Sequence, residues 1–361
     1  MENIYENNNN LFKGEIPAGV TAWKSPSNIA LVKYWGKRPV QLPGNPSVSF
    51  TLNNAVTETK MKFSPKKGDD TEITFLFEGK RNMNFEKRTR NFFNLVSSLF
   101  PFIKQLDFEI DSTNSFPHSA GIASSASGMS ALALCLCDIE RKYFNRETGD
   151  SEFFKKASYV ARLGSGSASR SLFGGITVWG ETGVVPGSSD YYAIPVEDVN
   201  PLFEKYRDTI LIVDAGAKKV SSRAGHSLMN NNPYARIRYK QAEENVKTLI
   251  AALKNGDTDT FVNVVEQEAL TLHALMMTSN PYFLLMKPYT ISIIEKITGY
   301  RDKTGIPVAF TLDAGPNVHL LYPEEYYREV KGFVESQLQQ YLKNGTHMDD
   351  KVGYGPAKTD L

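Results

Sequence analysis

Residues 114–128 of the chain read NSFPHSAGIASSASG and connect a stretch typical of a β-strand to a stretch typical of an α-helix. Residues 106–111 alternate apolar and polar side chains, whereas residues 129–143 place apolar side chains at helical spacing. The connecting segment consists mostly of small residues, so a ligand can approach its backbone and meet several N–H groups. Because a helix N-terminus has unpaired donors and a partial positive charge, this geometry favours a phosphate group.

The same segment also fits a turn capped by serines, which favour helix N-caps whether or not a ligand binds. It is not a conventional P-loop, because the Gly-Lys-Ser/Thr ending is missing. Residues 117–126 nevertheless resemble the phosphate loop of the GHMP small-molecule kinases, and residues 114–128 are similar to the version found in diphosphomevalonate decarboxylases. This resemblance implies an ATP-binding set in the loop: Gly121, Ala123, Ser124 and Ser125.

Length, charge and cysteine content bound the class of protein. The chain has 361 residues, enough for about two domains, and its 41 basic against 40 acidic residues give a formal net charge of +1. No overall field therefore attracts nucleic acid or an anionic membrane. Cys135 and Cys137 lie two apart in a predicted helix and cannot easily form a disulfide, which fits a reducing compartment. With no signal peptide or membrane-spanning run, we expect a cytoplasmic protein.

Residues 28–37, NIALVKYWGK, place Lys33, Tyr34 and Lys37 at the end of a buried strand formed by residues 29–32. Such a cluster is also compatible with a solvated strand edge. The segment resembles the Asn-Ile-Ala-x-x-Lys-Tyr-Trp-Gly-Lys signature of diphosphomevalonate decarboxylases. The resemblance implies that Lys33 lies beside a catalytic carboxylate. It also implies that Tyr34 and Lys37 hold a diphosphate, for which lysine supplies compact charge and three donors.

Residues 165–175, SGSASRSLFGG, form a second segment suited to anions, although many Gly/Ser segments are plain loops with a solvated arginine. The segment resembles the substrate segment of the same family. By this resemblance Arg170 pairs with the substrate carboxylate through its planar fork of donors. The diphosphate pocket is then lined by Ser165, Gly166 and Ser167. Residues 45–47 depart from the family pattern, which leaves the contacts of Ser47 and Ser49 open.

Two further segments complete the predicted site. Residues 220–225, VSSRAG, resemble the family's serine-bearing substrate loop, and we favour Ser221 over Ser222 as the contact. Residues 313–317, Asp-Ala-Gly-Pro-Asn, consist of turn formers and are compatible with an ordinary tight turn. The family resemblance identifies Asp313 as the catalytic aspartate. His273 is expected to be a core residue.

In the second half of the chain, apolar spacing predicts helices over residues 233–254, 258–277, 281–303 and 326–342. A buried strand is predicted at residues 209–213, and a helix at residues 85–100 in the first half. The composition of the tail from residue 345 predicts a flexible segment.

The motifs follow the family order from about residue 22 to residue 322. The resemblance implies an α+β, GHMP kinase-like two-domain fold with a deep cleft. Residues 1–200 would form a ribosomal S5 domain 2-like part with the ATP phosphate loop, and residues 201–361 a ferredoxin-like part with the aspartate.

The implied activity is the ATP- and Mg²⁺-dependent decarboxylation of mevalonate 5-diphosphate in the mevalonate pathway, by a homodimer and without a protein-held metal. A GHMP kinase that stops after phosphorylation is one alternative, but such kinases tend to lack the aspartate–lysine pair. A decarboxylase of mevalonate monophosphate is another, and it should differ around Tyr34 and Lys37. A catalytically inactive relative should have lost one of the catalytic residues.

Overall fold

Two β-sheets with helices packed against them form the framework of the chain. A computed structural model describes residues 5, 10–116, 122–144, 149–214, 216 and 222–359, without the side chains of residues 222–224. The elements of the first half are β1 (Gly19–Val32), β2 (Lys37–Arg38), β3 (Leu42–Pro43), β4 (Ser47–Pro65), β5 (Ile73–Phe77), β6 (Lys80–Arg81), α1 (Met83–Val96), β7 (Leu106–Asn114), α2 (Ser124–Tyr143), α3 (Asp150–Gly164), β8 (Ile176–Trp179) and β9 (Ala193–Pro195). Short 3-10 turns cover Pro101–Gln105 and Gly166–Leu172.

The elements of the second half surround a smaller sheet. They are α4 (Pro201–Glu204), β10 (Tyr206–Leu211), α5 (Ser222–Ser227), α6 (Ala235–Asn255), α7 (Thr258–Met277), α8 (Pro288–Thr304), β11 (Ala309–Thr311), β12 (Val318–Pro323), α9 (Tyr327–Phe333), β13 (His347–Lys351) and β14 (Ala357–Lys358). A π-turn at Val334–Leu338 and a 3-10 turn at Gln339–Tyr341 follow α9. The predicted closing helix is therefore shorter than expected.

In the described part of the chain the larger sheet has eight strands, in the order β14-β1-β4-β7-β5-β6, with β8 paired to β4 and β9 to β8. The long strands β1 and β4 pair antiparallel from Gly19 opposite Phe63 to Val32 opposite Val48. Helix α2 buries its entire ALALCLC stretch, residues 131–137, between this sheet and neighbouring helices. A helix that is apolar on all sides belongs in the interior, and this burial fixes the N-terminal end of α2 above the sheet.

The smaller sheet is antiparallel in the order β11-β12-β10-β13. Helices α6 and α7 join it to the larger sheet through a shared apolar cluster. In this cluster Ile29 and Phe50 of the larger sheet lie with Leu249 and Val265 of the two helices. The cluster fixes how the ends of β1 and β11 face each other, and the candidate site lies between those ends.

Several helix boundaries differ from the sequence prediction. Helix α1 begins at Met83 because the side chain of Asn82 accepts the N–H of Phe85 at 3.1 Å and caps it. Helix α8 begins at Pro288 instead of residue 281. The reason is local: proline disfavours a helical conformation in the residue before it, so Lys287 is extended, and Pro288 occupies the first helical position. No helix among the described residues is long and apolar enough to cross a membrane.

The prediction of a flexible C-terminal tail is wrong, because residues 347–359 are built into both sheets. Strand β13 pairs with β10, and β14 pairs with β1, where Lys358 lies opposite Trp23. Between them, the carboxylate of Asp350 accepts the backbone N–H groups of Asn53, Asn54 and Ala55 at 2.7–2.8 Å. Gly353 donates its N–H to the carbonyl of Thr51 at 2.8 Å. The tail thus connects the two sheets.

Replacement of Gly353 by alanine tests the close approach of the tail to β4. A Cβ atom at Gly353 would lie 2.4 Å from the carbonyl oxygen of Leu52, which is backbone and cannot rotate away. We expect Gly353→Ala to lower the free energy of unfolding by about 1–3 kcal/mol, the usual cost of overpacking. Gly183→Ala is the matched control, because a Cβ there meets no atom within 4 Å. Equal stability of the two variants in urea denaturation would contradict the packing described.

Candidate active site

Lys33 and Asp313 form an ion pair where β1 ends and the turn after β11 begins. The Lys33 Nζ lies 3.4 Å from Asp313 Oδ1 and donates to the carbonyl of Ala30 at 2.7 Å. The lysine side chain is 2% exposed and the aspartate side chain 27% exposed, so the carboxylate faces solvent while the amine lies beneath it. Burial lowers the pKa of the Lys33 amine, and the negative charge of Asp313 opposes that shift.

Arg170 is a second buried cation, held on the 3-10 turn that follows α3. Its guanidinium donates to Ser49 Oγ at 3.0 Å, to Ser47 Oγ at 2.6 Å and to Asn28 Oδ1 at 3.4 Å. All three partners that the structure describes for this side chain are uncharged. Burial lowers the pKa of Arg170 to about 10, so the group stays protonated at neutral pH. The negative charge of Asp313 partly opposes this effect of burial. Because its described hydrogen-bond partners are uncharged, the guanidinium favours an anionic ligand as a further countercharge.

Tyr34 directs a buried hydroxyl toward the same region. Its ring contacts Trp179, with 4.6 Å between centroids, and its hydroxyl has no hydrogen-bond partner among the described residues. Burial raises the pKa of Tyr34, so the phenol remains a neutral donor. A side chain at Gly166 would place its Cβ 2.8 Å from Trp179 and 2.9 Å from Tyr34, so only glycine allows this turn to approach the two rings.

His226 is a candidate site residue that the sequence analysis missed. Its ring lies against Tyr34 and Trp35, and its Nδ1 accepts the backbone N–H of Gly36 at 3.0 Å. Burial, reinforced by the positive charges of Lys37 and Arg170, lowers the pKa of His226 to about 3. The imidazole is therefore neutral at physiological pH, with its proton on Nε2. His226 directly follows residues 220–225, the predicted substrate loop, and this adjacency could have identified it from the sequence.

The predicted site residues line one cleft, which has a cavity volume of about 670 Å³. Its walls contain every predicted site residue that the structure describes: Lys33, Tyr34, Lys37, Ala123, Ser124, Ser125, Ser165, Gly166, Ser167, Arg170 and Asp313. Gly121 and Ser221 lie outside the described residues, as does His118. Polar wall residues that the sequence analysis did not single out are Asn28, Gln41, Arg88, Asn91 and His226.

The N-terminus of helix α2 opens into this cleft. The cap residue Ala123 has a left-handed backbone, with φ of 33°, and Ser124 and Ser125 occupy the first helical positions. Ser125 Oγ lies 3.5 Å from Ser165 Oγ, which brings the two serine-rich segments together. No group of three or more His, Cys, Asp or Glu side chains within the described ranges has the geometry of a metal site. The charged side chains in the described walls of the cleft are Lys33, Lys37, Arg88, Arg170 and Asp313.

A smaller pocket of about 110 Å³ adjoins the cleft between α1, α2 and the sheet. The rings of Phe75, Phe77 and Phe85 line it together with polar side chains of Thr57 and Asn114. It shares Arg88, Ser124, Ser125 and Met129 with the cleft. A flat apolar group with a few polar edges fits such a lining.

Comparison with solved structures defines the class of this fold and site. The chain matches the crystal structure of mevalonate diphosphate decarboxylase from Staphylococcus aureus with a TM-score of 0.82, at 28% identity over 95% of this chain and 99% of that one. It matches a structure designated MDDEF, in complex with MVAPP, AMPPCP and magnesium, with a TM-score of 0.80, at 27% identity over 96% of this chain and 100% of that one. The fold is GHMP kinase-like, as the sequence predicted.

Sequence comparison then identifies the family. A model of the diphosphomevalonate decarboxylase-like N-terminal domain matches residues 25–191, and a model of the mevalonate 5-diphosphate decarboxylase C-terminal domain matches residues 209–357. A diphosphomevalonate decarboxylase from Ganoderma lucidum is 31% identical over 92% of this chain and 85% of its own length. The chain belongs to the diphosphomevalonate decarboxylase family, and the predicted membership is confirmed.

The low pKa of His226 predicts a specific loss of stability in acid. Between pH 6.5 and about 3 the unfolded chain binds a proton on this histidine and the folded chain does not, so the free energy of unfolding falls as the pH falls. The slope is about 1.4 kcal/mol per pH unit. In His226→Asn, the amide oxygen replaces Nδ1 as acceptor but does not titrate. We expect the loss of stability from pH 6.5 to pH 5 to be about 2 kcal/mol smaller in this variant than in the wild type. An equal loss of stability between pH 6.5 and pH 5 in His226→Asn and in the wild type would contradict the burial described for His226.

Proposed function

We propose that the chain catalyses the ATP-dependent decarboxylation of mevalonate 5-diphosphate to isopentenyl diphosphate, ADP, phosphate and carbon dioxide. The observation that carries the proposal is the Lys33–Asp313 ion pair in the wall of a cleft that also contains Arg170 and the N-terminus of α2. The pair supplies a carboxylate for the substrate hydroxyl, Arg170 a cation for its carboxylate, and α2 a cradle for phosphates.

The chemistry requires activation of a poor leaving group. The substrate carries a tertiary hydroxyl two carbons from its carboxylate, and loss of carbon dioxide would have to expel hydroxide. Asp313 orients the hydroxyl and accepts its proton while the oxygen attacks the γ-phosphoryl group of ATP. Phosphate then departs, and the electron pair of the carbon–carboxylate bond forms the new double bond as carbon dioxide leaves. Lys33 stabilises negative charge on the departing phosphate.

Arg170 acts in this scheme as a positioning group for the substrate carboxylate. Its guanidinium is held by Ser47 and Ser49, so little side-chain freedom is lost when an anion binds. Because the carboxylate becomes neutral carbon dioxide, a contact that favours the charged form stabilises the bound substrate more than the product. Binding and orientation, rather than the bond-breaking step, are therefore its contribution.

Substrate phosphates and the nucleotide occupy different walls of the cleft. We assign the diphosphate to Tyr34, Lys37 and the 165–167 turn, and the nucleotide phosphates to residues 123–125 at the start of α2. The AMPPCP and magnesium in the related MDDEF complex support this use of the fold. The serine hydroxyls of Ser124 and Ser125 are suitable oxygen donors for magnesium carried in by the nucleotide, which would neutralise phosphate charge when bound. A homodimeric assembly, a cytoplasmic location and the division at residue 200 are retained as predictions.

A product assay with a catalytic variant tests the proposal. Purified protein with Mg-ATP and mevalonate 5-diphosphate should release isopentenyl diphosphate and phosphate in equal amounts. Asp313→Asn should lower kcat by about 10²–10⁴-fold, the usual contribution of a positioned base, while ATP still binds. The matched control is Asp198→Asn, which removes an exposed aspartate in a surface ion pair with Lys254.

Each alternative gives a distinct result in the same assay. A phosphorylated mevalonate with ADP and without isopentenyl diphosphate would identify a kinase. Faster turnover of the monophosphate than of the diphosphate would overturn the substrate assignment. Near-normal kcat in Asp313→Asn would remove this residue from the mechanism.

We further infer that the aromatic pocket beside the cleft receives the adenine of ATP. The pocket is continuous with the 123–125 segment through Ser124 and Ser125, and its rings provide stacking surfaces for a base. Gly128 lies in its wall, and a Cβ at this position meets no atom within 4 Å. A larger side chain there would occupy the pocket without displacing the backbone.

Gly128→Leu is the corresponding prediction. The leucine should raise the KM for ATP by about 10-fold or more, since it fills the space needed by the base, and should leave the KM for mevalonate 5-diphosphate and the Tm nearly unchanged. Gly299→Leu in α8 serves as the control, because a Cβ there also meets no atom within 4 Å. An unchanged KM for ATP in Gly128→Leu would place the base elsewhere.

A further inference from the structure

The backbone of Lys33 is held by side chains from the other half of the chain. Its N–H donates to Glu268 Oε2 at 2.8 Å, and its carbonyl accepts from Arg238 Nη2 at 3.1 Å and from Asn45 Nδ2 at 3.0 Å. Arg238 lies on α6 and Glu268 on α7, whereas Lys33 directly follows β1. The N–H and the C=O of Lys33 are therefore each hydrogen-bonded to a side chain of the second half, and Asn45 adds a contact from the first half.

The two side chains that hold Lys33 also form a closed ion pair. Arg238 Nη1 and Nη2 each lie 2.6 Å from one oxygen of Glu268, and Asn245 donates to Glu268 Oε1 at 2.6 Å. The side chains of Arg238 and Glu268 are 1% and 0% exposed. The geometry leaves neither side chain free to rotate, because every rotation breaks a charged hydrogen bond in the interior.

Fold stability is a poor explanation for this pair. The cost of removing two charges from water often exceeds their attraction, and apolar residues of similar volume are frequently as stabilising or more so. The Nε of Arg238 is also buried without a hydrogen-bond partner among the described residues, which adds a further cost. What the pair does provide is a fixed position for the peptide group from which the Lys33 side chain extends to Asp313.

We propose that Arg238 and Glu268 are positioning residues for decarboxylation: their ion pair fixes the backbone of Lys33 and so directs its amine at the Asp313 carboxylate. This inference rests on the role proposed above for the Lys33–Asp313 pair. Neither residue touches the reacting atoms. Their effect reaches the reaction through the distance and direction of one amine, and a misplacement of about 1 Å can lower a rate by about 10²-fold.

Glu268 also contributes to the charge around the amine. Among the described residues, the charges that act on the Lys33 amine are those of Asp313 and Glu268, which raise its pKa, and of Arg170, which lowers it. The guanidinium of Arg238 contacts the Lys33 carbonyl, and the nearby His273 is neutral. Burial is the largest influence and lowers the pKa. Loss of the Glu268 charge therefore lowers the pKa of Lys33 further, and activity that needs the protonated amine is lost at a lower pH.

The test replaces the ion pair with apolar residues of similar volume. In Arg238→Met with Glu268→Leu, we expect a folded protein whose kcat is about 10²-fold lower, with KM values for ATP and mevalonate 5-diphosphate within about 3-fold of the wild type. Glu268→Gln keeps an oxygen that can accept the Lys33 N–H. It should recover part of kcat while moving the alkaline limb of the kcat–pH profile to lower pH.

The control is a second buried ion pair, Lys156–Glu140, with side chains 9% and 4% exposed and two hydrogen bonds between them. The variant Lys156→Met with Glu140→Leu should change the Tm without changing kcat or the kcat–pH profile. Wild-type kcat and pH profile in the Arg238/Glu268 double variant would overturn the inference. If the double variant does not fold, the Glu268→Gln variant tests the inference instead. Wild-type kcat together with an unshifted alkaline limb of the kcat–pH profile in that variant would also overturn the inference. Failure of the wild type to form isopentenyl diphosphate would instead refute the proposed function.

Discussion

The burial of two positive charges is the constraint on which the cleft depends. Lys33 and Arg170 are both withdrawn from water, and burial lowers the pKa of each. The free-energy cost of burying a charge is offset differently at the two positions. Lys33 forms an ion pair with Asp313, whereas the described hydrogen-bond partners of Arg170 are hydroxyl and amide oxygens, and Asp313 acts on it through its charge. Arg170 is therefore a binding site for an anion in the cleft, and the Lys33–Asp313 ion pair lies beside it.

This arrangement requires both halves of the chain. The first half supplies Lys33 and Arg170, and the second supplies Asp313 together with Arg238 and Glu268. The apolar cluster shared by the larger sheet and helices α6 and α7 keeps the two contributions in register. Because close-packed interiors resist small displacements, the distance between the amine and the carboxylate is set by packing as much as by their attraction.

The sequence predicted those parts of the site that belong to short contiguous motifs. Lys33, Arg170 and Asp313 each lie in such a segment, and neighbours in the segment identified them. Arg238 and Glu268 could not be found in this way, because charged residues in amphipathic helices ordinarily face solvent, and their pairing depends on how two helices meet β1. His226 differs again, since its low pKa results from burial against two aromatic rings, which is a property of tertiary structure.

The fold shows the same division between local and distant causes. The start of α8 at Pro288 follows from proline chemistry and was within reach of the sequence. The strands of the tail were not, because their partners lie more than 100 residues away in the chain and glycine-rich composition indicates only a turn or loop.

The pairing of β14 with β1 has a consequence for biosynthesis. Chains fold from the N-terminus as they are made, yet β1 acquires its partner β14 only after residue 358 has left the ribosome. During translation the edge of β1 is therefore an unpaired strand of the kind that chaperones protect, and the larger sheet is complete only once β14 has emerged.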